Sequence, residues 1–159
     1  MTNALLPEGS DAPAFELPRD GGGAVSLSSL SGQYVVLYFY PRDDTPGCTT
    51  QALDFTSRAD AFAALNAVVL GVSKDSVQKH EKFAAKHGLT VALLSDHDSD
   101  TCETYGVFGE KKMYGKTFMG ITRTTYLIGP DGKILRVWPK VKVEGHAEDV
   151  LSAIREHCA

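Results

Sequence analysis

The chain has 159 residues, 43% of them hydrophobic and 23% charged, with 16 basic against 20 acidic side chains for a formal charge of −4. This is the composition of one ordinary globular domain over residues 1–159, and it excludes disorder, collagen and coiled coil. The longest apolar run, Tyr34 to Tyr40, is far short of the roughly twenty residues a membrane span needs, and no signal-like stretch precedes it, so a cytoplasmic protein without membrane contact is expected.

Taken in chain order, the glycine cluster Gly21-Gly22-Gly23 reads as a turn between short strands. Tyr34 to Tyr40 is β-branched and aromatic without alternation, which predicts a strand buried on both faces at the centre of a sheet. From Thr49 to Leu65, Ala52, Phe55, Ala59 and Phe62 recur at helical spacing and predict one amphipathic helix. Ala67 to Val72 reads as a second buried strand and Ser76 to His87 as a helix closed by Gly88, a βαβ unit with parallel strands. Val91 to Leu94 is a third strand, followed by a helical turn at Thr101 to Tyr105. Ile121 to Ile128 and Ile134 to Val137 flank the turn sequence Gly129-Pro130-Asp131-Gly132 and predict an antiparallel hairpin. Ala147, Val150, Leu151, Ile154 and Cys158 mark one face of a last helix. The fold class is α/β with a central mixed β-sheet flanked by helices and an N-terminal extension, an order shared by thioredoxin-like domains and other α/β folds.

Three cysteines, Cys48, Cys102 and Cys158, lie far apart, and an odd number leaves at least one thiol free. With no CxxC and no Cys/His pair at ligand spacing, no metal site is expected. Cys48 falls where the central strand passes into its helix. A thiol in the first turn of a helix meets unpaired N–H groups and the positive dipole end, which favour the nucleophilic thiolate. Pro46 and Gly47 just ahead permit close approach of a small ligand. A cysteine that only packs at a helix start is the other reading of the isolated residue.

Pro41, Thr45 and Cys48 form P-x-x-x-T-x-x-C, which resembles the active-site motif of peroxiredoxins. The longer strings Tyr38 to Pro41, Thr45 to Thr49, Gly109 to Lys116 and Arg123 to Ile128 are similar to the bacterioferritin comigratory protein (PrxQ) branch. The resemblance runs from about Gly9 to His157 and implies a thioredoxin-like fold. It also implies a thiol-dependent peroxidase acting on hydrogen peroxide and organic hydroperoxides, with no metal, haem, flavin or other cofactor. By the same resemblance Cys48 attacks the peroxide and becomes a sulfenic acid, Arg123 holds the thiolate ionised, Thr45 offers a hydroxyl, and Pro41 shields the sulfur from water. Negative charge spreads over sulfur and both oxygens in the transition state, so fixed donors and a cation are what the chemistry asks for. Arg123 is read in the first hairpin strand on the face of Ile121, Thr125 and Leu127, where a charge needs a partner.

The chain departs from the family pattern in three places. Gln51 stands where many relatives have Glu, and is expected to tune the site without a charge. Leu53 and Ala84 occupy the two positions where relatives carry a resolving cysteine, and the sequence fits a native Ala84 and a replaced cysteine equally. Resolution then falls to Cys102, Cys158 or an outside thiol from thioredoxin, glutaredoxin or a low-molecular-weight thiol. Cys102 follows Asp96, Asp98 and Asp100, whose charge slows its attack on a sulfenic acid; Cys158 is expected to be packed or frayed. A redox sensor or interaction protein with incidental turnover is the alternative function.

The remaining signals are weaker. Gly109 to Thr117 ends in Gly-Lys-Thr, but five residues separate its glycines where a P-loop has four, and neither strand nor helix is expected around it. His80, His87, His97, His146 and His157 read as surface or helix-end residues. Lys111 to Lys142 holds eight basic residues and one acid; without a recognition module it predicts no nucleic-acid binding, but a basic face that steers an acidic reductant. A monomer is the default.

Overall fold

The computed structural model describes residues 5–158, so the domain expected over 1–159 runs past the described residues at both ends. The N-terminal extension forms a small antiparallel pair, β1 (Glu16–Pro18) and β2 (Ala24–Ser26). Gly21, Gly22 and Gly23 turn between them at φ of 80°, 100° and 76°, the left-handed region that glycine enters without a Cβ penalty.

Five strands make the main sheet: β3 (Tyr34–Phe39), β4 (Ala67–Ser73), β5 (Ala92–Ser95), β8 (Thr124–Ile128) and β9 (Ile134–Trp138) in the order β5-β4-β3-β8-β9. β3 is central, parallel to β4 and antiparallel to β8. Its lack of alternation is explained by a core on each face. Val35, Leu37 and Phe39 pack with Leu70, Leu94, Tyr105 and Tyr126 on one side. Val36, Tyr38 and Tyr40 pack with Phe55, Phe62, Leu127 and the α5 (His146–Cys158) residues Val150, Leu151 and Ile154 on the other. Each such side chain contributes about 1.5–3 kcal/mol of burial. At Gly71 of β4 a Cβ would lie 2.7 Å from the tip of the Tyr38 ring, so glycine makes room for a tyrosine that also stacks on Phe55 at 4.9 Å.

The parallel βαβ unit, the Gly129–Gly132 hairpin and the last helix are found as expected. α3 (Val77–His87) is capped by Ser76, whose hydroxyl accepts from the Lys79 N–H, and closed by Gly88 at φ 64°. α4 (Thr101–Thr104) is a single turn.

Three expectations are corrected. The single helix over Thr49–Leu65 is two, α1 (Pro46–Ser57) and α2 (Ala59–Ala64). They break at Arg58, which leaves helical geometry (φ −109°, ψ 16°) while its side chain pairs with Glu148 of α5 at 2.7 Å. Second, β6 (Phe108–Met113) and β7 (Lys116–Ile121) form an antiparallel hairpin through the segment where no strand was expected. Among the described residues its strands pair only with each other, so little burial imposes an apolar alternation on the sequence. Third, the strand read from Ile121 to Ile128 is interrupted: Thr122 donates its N–H to the Val107 carbonyl and Arg123 lies in a link between β7 and β8. Ile121 and Leu127 consequently fall in opposite cores.

Candidate active site

α1 begins with Thr45 as N-cap in extended geometry and Pro46 in the first turn, where a missing N–H costs nothing. Cys48 is the third helical residue and only 1% exposed. From the link after β7, Arg123 Nη2 donates to Cys48 Sγ at 3.3 Å and Nη1 donates to Gln51 Oε1 at 2.6 Å. A Cβ on Gly47 would come within 3.1 Å of Arg123 Nη2, so the space the glycine leaves is filled by the guanidinium. Gln51 is buried one helical turn beyond Cys48, and its Nε2 has no hydrogen-bond partner among the described residues. The neutral amide thus holds Arg123 without cancelling its charge.

The other two expected site residues sit differently. Thr45 donates its hydroxyl proton to the Arg42 carbonyl at 3.0 Å, leaving the oxygen lone pairs as acceptors. Pro41 is exposed just past β3. The structure brings Cys48, Arg123 and Gln51 into one bonded chain and places Thr45 at its helix start.

The loop between β3 and α1 is held by a buried polar cluster. Asp43 accepts from the Tyr40 hydroxyl and pairs with His80 Nδ1 at 2.6 Å, while His80 Nε2 meets the Leu94 carbonyl at 2.9 Å. Both ring nitrogens of His80 face acceptors, so both carry hydrogen and the ring is cationic. Burial opposes that charge, but the hydrogen bond and charge of Asp43 outweigh it and raise the His80 pKa. The Asp43 N–H donates to Asp75 at 2.7 Å, and Asp44, at φ 60°, pairs with Lys86 and His87 of α3. These contacts pin the Cys48 loop to α3 on the stretch that contains Ala84.

His80, inside α3, corrects the reading of the histidines as surface or helix-end residues, while His146 opens α5 as a helix-end residue but is buried; their partners lie 37 and 21 positions away in sequence. No local spacing signals such pairs. His146 shares a 2.8 Å hydrogen bond with Thr125. Burial pushes its pKa down to about 4, with Asp149 opposing and Arg123 adding to the fall. A depressed folded pKa means this contribution is full above an unfolded pKa near 6.5 and is lost as pH falls toward 4, about 3 kcal/mol at most. His80 runs the other way, losing its contribution as pH rises past its raised value. Thermal unfolding between pH 7 and pH 4 is therefore expected to show an acid limb that His146→Gln, which keeps a hydrogen bond to Thr125, flattens. An unchanged acid limb would refute the assignment.

Lys111, noticed in sequence only as part of a basic stretch, reaches from β6 to donate to the Ile121 carbonyl at 2.9 Å. Burial and Arg123 lower its pKa and Cys48 opposes them, which places the ammonium in the field of the site. Cys102 is fully buried in the core on the other side of the sheet from Cys48. Burial first, then the charge of Asp96, pushes its thiol pKa far above the ordinary value. Cys158 is exposed at the end of α5, close to Tyr34. Among the described residues no group of His, Cys, Asp or Glu is placed to hold a metal ion, and no helix is long and apolar enough to cross a membrane.

The chain matches the AhpC/TSA family over residues 9–137. It is 49% identical to a putative peroxiredoxin bcp of Coxiella burnetii, covering 92% of this chain and 97% of that protein. It is 47% identical to the peroxiredoxin Bcp of Bacillus subtilis, covering 93% and 94%. Among solved structures, a cysteine-to-serine mutant of Xylella fastidiosa PrxQ superimposes with a TM-score of 0.92 at 41% identity, covering 98% of this chain and 99% of that one. The Xanthomonas campestris bacterioferritin comigratory protein, described for its alkyl peroxide reduction activity, superimposes with a TM-score of 0.88 at 41% identity over 99% of both chains.

Proposed function

Since the chain belongs to the AhpC/TSA family, in its Bcp (PrxQ) branch with a thioredoxin-like fold, and is a thiol-dependent peroxidase, we propose that Cys48 is its nucleophile and Arg123 the cation that serves it. The observation that carries this reading is the 3.3 Å hydrogen bond from Arg123 to a sulfur in the first turn of α1. The guanidinium and the positive end of α1 both lie against the sulfur that acts as the nucleophile.

The thiolate attacks one oxygen of the peroxide; an S–O bond forms, the O–O bond breaks, and the departing oxygen leaves as water or an alcohol after taking a proton. Cys48 becomes a sulfenic acid. Charge developing on both oxygens is met by donors already in place. Thr45, its own proton committed to Arg42, accepts the peroxide O–H and orients it. Pro41, with no N–H, closes the loop without adding a competing donor. Hydrogen peroxide and organic hydroperoxides are the proposed substrates; the alkyl peroxide reduction named for the Xanthomonas relative supports the second class. The proposed setting is a monomer in the cytoplasm.

Reduction of the sulfenic acid falls to an outside thiol, from thioredoxin, glutaredoxin or a small thiol. Cys102 lies in the opposite core. Cys158 is beside Tyr34, the residue that begins β3, whereas Cys48 follows its far end. Six strand residues span about 17 Å, and a disulfide needs Cα atoms within about 7 Å. One equivalent of hydrogen peroxide is therefore expected to add one oxygen at Cys48, read by intact mass and peptide mapping. Loss of two hydrogens would instead show an internal disulfide.

A further inference from the structure

With no internal thiol in reach, the reductant must come to a sulfur that is only 1% exposed, and a protein reductant has to cover the rim around it. The β6–β7 hairpin supplies part of that rim. Its register pairs Lys111 with Phe118 and Met113 with Lys116, so strand alternation sets Lys111, Lys116 and Phe118 on one face. Lys111 fixes which way this face looks. Its stem crosses Gly120, where a Cβ would sit 3.0 Å from Lys111 Cδ, and its ammonium ends on the Ile121 carbonyl, two residues before Arg123. Phe118 is 43% exposed on that face. From the other side the Val141 N–H donates to the Arg123 carbonyl at 2.8 Å, which brings the next residue, exposed Lys142, alongside.

Among the described residues no carboxylate is ion-paired with Lys116, Lys140 or Lys142. Glu110, the acid of the hairpin, lies on its opposite face, across from Met119, and lines one pocket there with Lys140. The rim is thus unneutralised positive charge around an exposed aromatic ring, next to a sulfur that awaits a thiol. We propose that Lys116, Phe118 and Lys142 form the docking surface for an acidic dithiol protein that reduces the Cys48 sulfenic acid. The proposal rests on Cys48 being the oxidised residue.

An acidic partner is attracted and oriented by this field, while the aromatic ring gives it an apolar contact. A symmetric pair of copies of this chain would set like charges face to face. Once docked, the partner's first thiolate attacks the Cys48 sulfenic sulfur. An S–S bond forms, the S–O bond breaks, and hydroxide leaves and is protonated to water. The partner's second thiolate then attacks the partner's own bonded sulfur, releasing the Cys48 thiolate and carrying the disulfide away on the partner.

The test uses hydrogen peroxide with two reductants, an acidic thioredoxin and dithiothreitol, on wild type, Lys116→Glu, Phe118→Ser and Lys142→Glu. With thioredoxin, kcat/KM is expected to fall about tenfold or more in each charge reversal, through KM, and to fall with salt in the wild type. Rates with dithiothreitol and the single-turnover oxidation of Cys48 are expected to match wild type. An unchanged thioredoxin rate would overturn the proposal, as would an equal loss with both reductants, which would make the hairpin part of the peroxide site or the fold. A concentration-dependent dimer abolished by the same substitutions would assign the face to self-association and also overturn it. Absence of single-turnover oxidation at Cys48 in the wild type would instead defeat the assignment of Cys48.

Discussion

Replacing Cys48 by serine is expected to lower peroxide consumption by about a thousandfold or more, measured with dithiothreitol so that docking plays no part. Serine is close to isosteric and its oxygen still accepts from Arg123 Nη2, so the circular dichroism spectrum and thermal midpoint are expected to stay near wild type. What is lost is the sulfur nucleophile: a hydroxyl in the same place stays protonated at neutral pH and is a poor nucleophile toward an O–O bond. Retained turnover would put the nucleophile at Cys102 or Cys158. The first of these is buried in the opposite core with its thiol held strongly protonated, and the second lies at the far end of β3. A sensor with incidental turnover makes a different forecast, slow recycling of wild-type Cys48 by every reductant.

Arg123→Ala is expected to slow the single-turnover oxidation of Cys48 by about 10²–10³-fold, the scale seen when a fixed donor to a developing negative charge is removed. Two effects act together, because the substitution takes the donor from Cys48 Sγ and the cation from the site. It also leaves the buried Gln51 with neither end of its amide bonded, since Nε2 already lacks a partner, at a cost of about 1–3 kcal/mol. Thermal unfolding separates that cost from the catalytic one. Arg123→Lys is expected to recover only part of the rate, because an ammonium on a flexible stem cannot bridge Sγ and the Gln51 oxygen as a planar fork does. An Arg123→Ala variant that oxidises as fast as wild type would remove Arg123 from the mechanism.

The interruption at Thr122-Arg123 shows how chain order and placement differ in what they reveal. Strand alternation correctly put Arg123 on the side of Thr125 and Leu127, but Ile121 belongs to the other core, and the guanidinium reaches Cys48 from a link and not from a strand. The Gly47 position was legible as a place of close approach; that Arg123 fills it depends on residues more than seventy positions away. The β6–β7 hairpin left no pattern to read, because among the described residues its strands pair only with each other and bury little.

By itself the sequence determined the central strand, the parallel βαβ unit, the Gly129–Gly132 hairpin, the final helix and the first-turn position of Cys48. These follow from periodicity, caps and turn residues, interactions between neighbours within a few positions along the chain. Only the tertiary structure decided that Gln51 and Cys48 share Arg123, that Asp43 and His80 clamp the loop to α3, that Lys111 faces the site, and that Cys102 and Cys158 are out of reach. Those outcomes come from pairing across the sheet, where the partners are buried together and far apart in sequence, and a buried charge or thiol takes its properties from whatever the fold brings beside it.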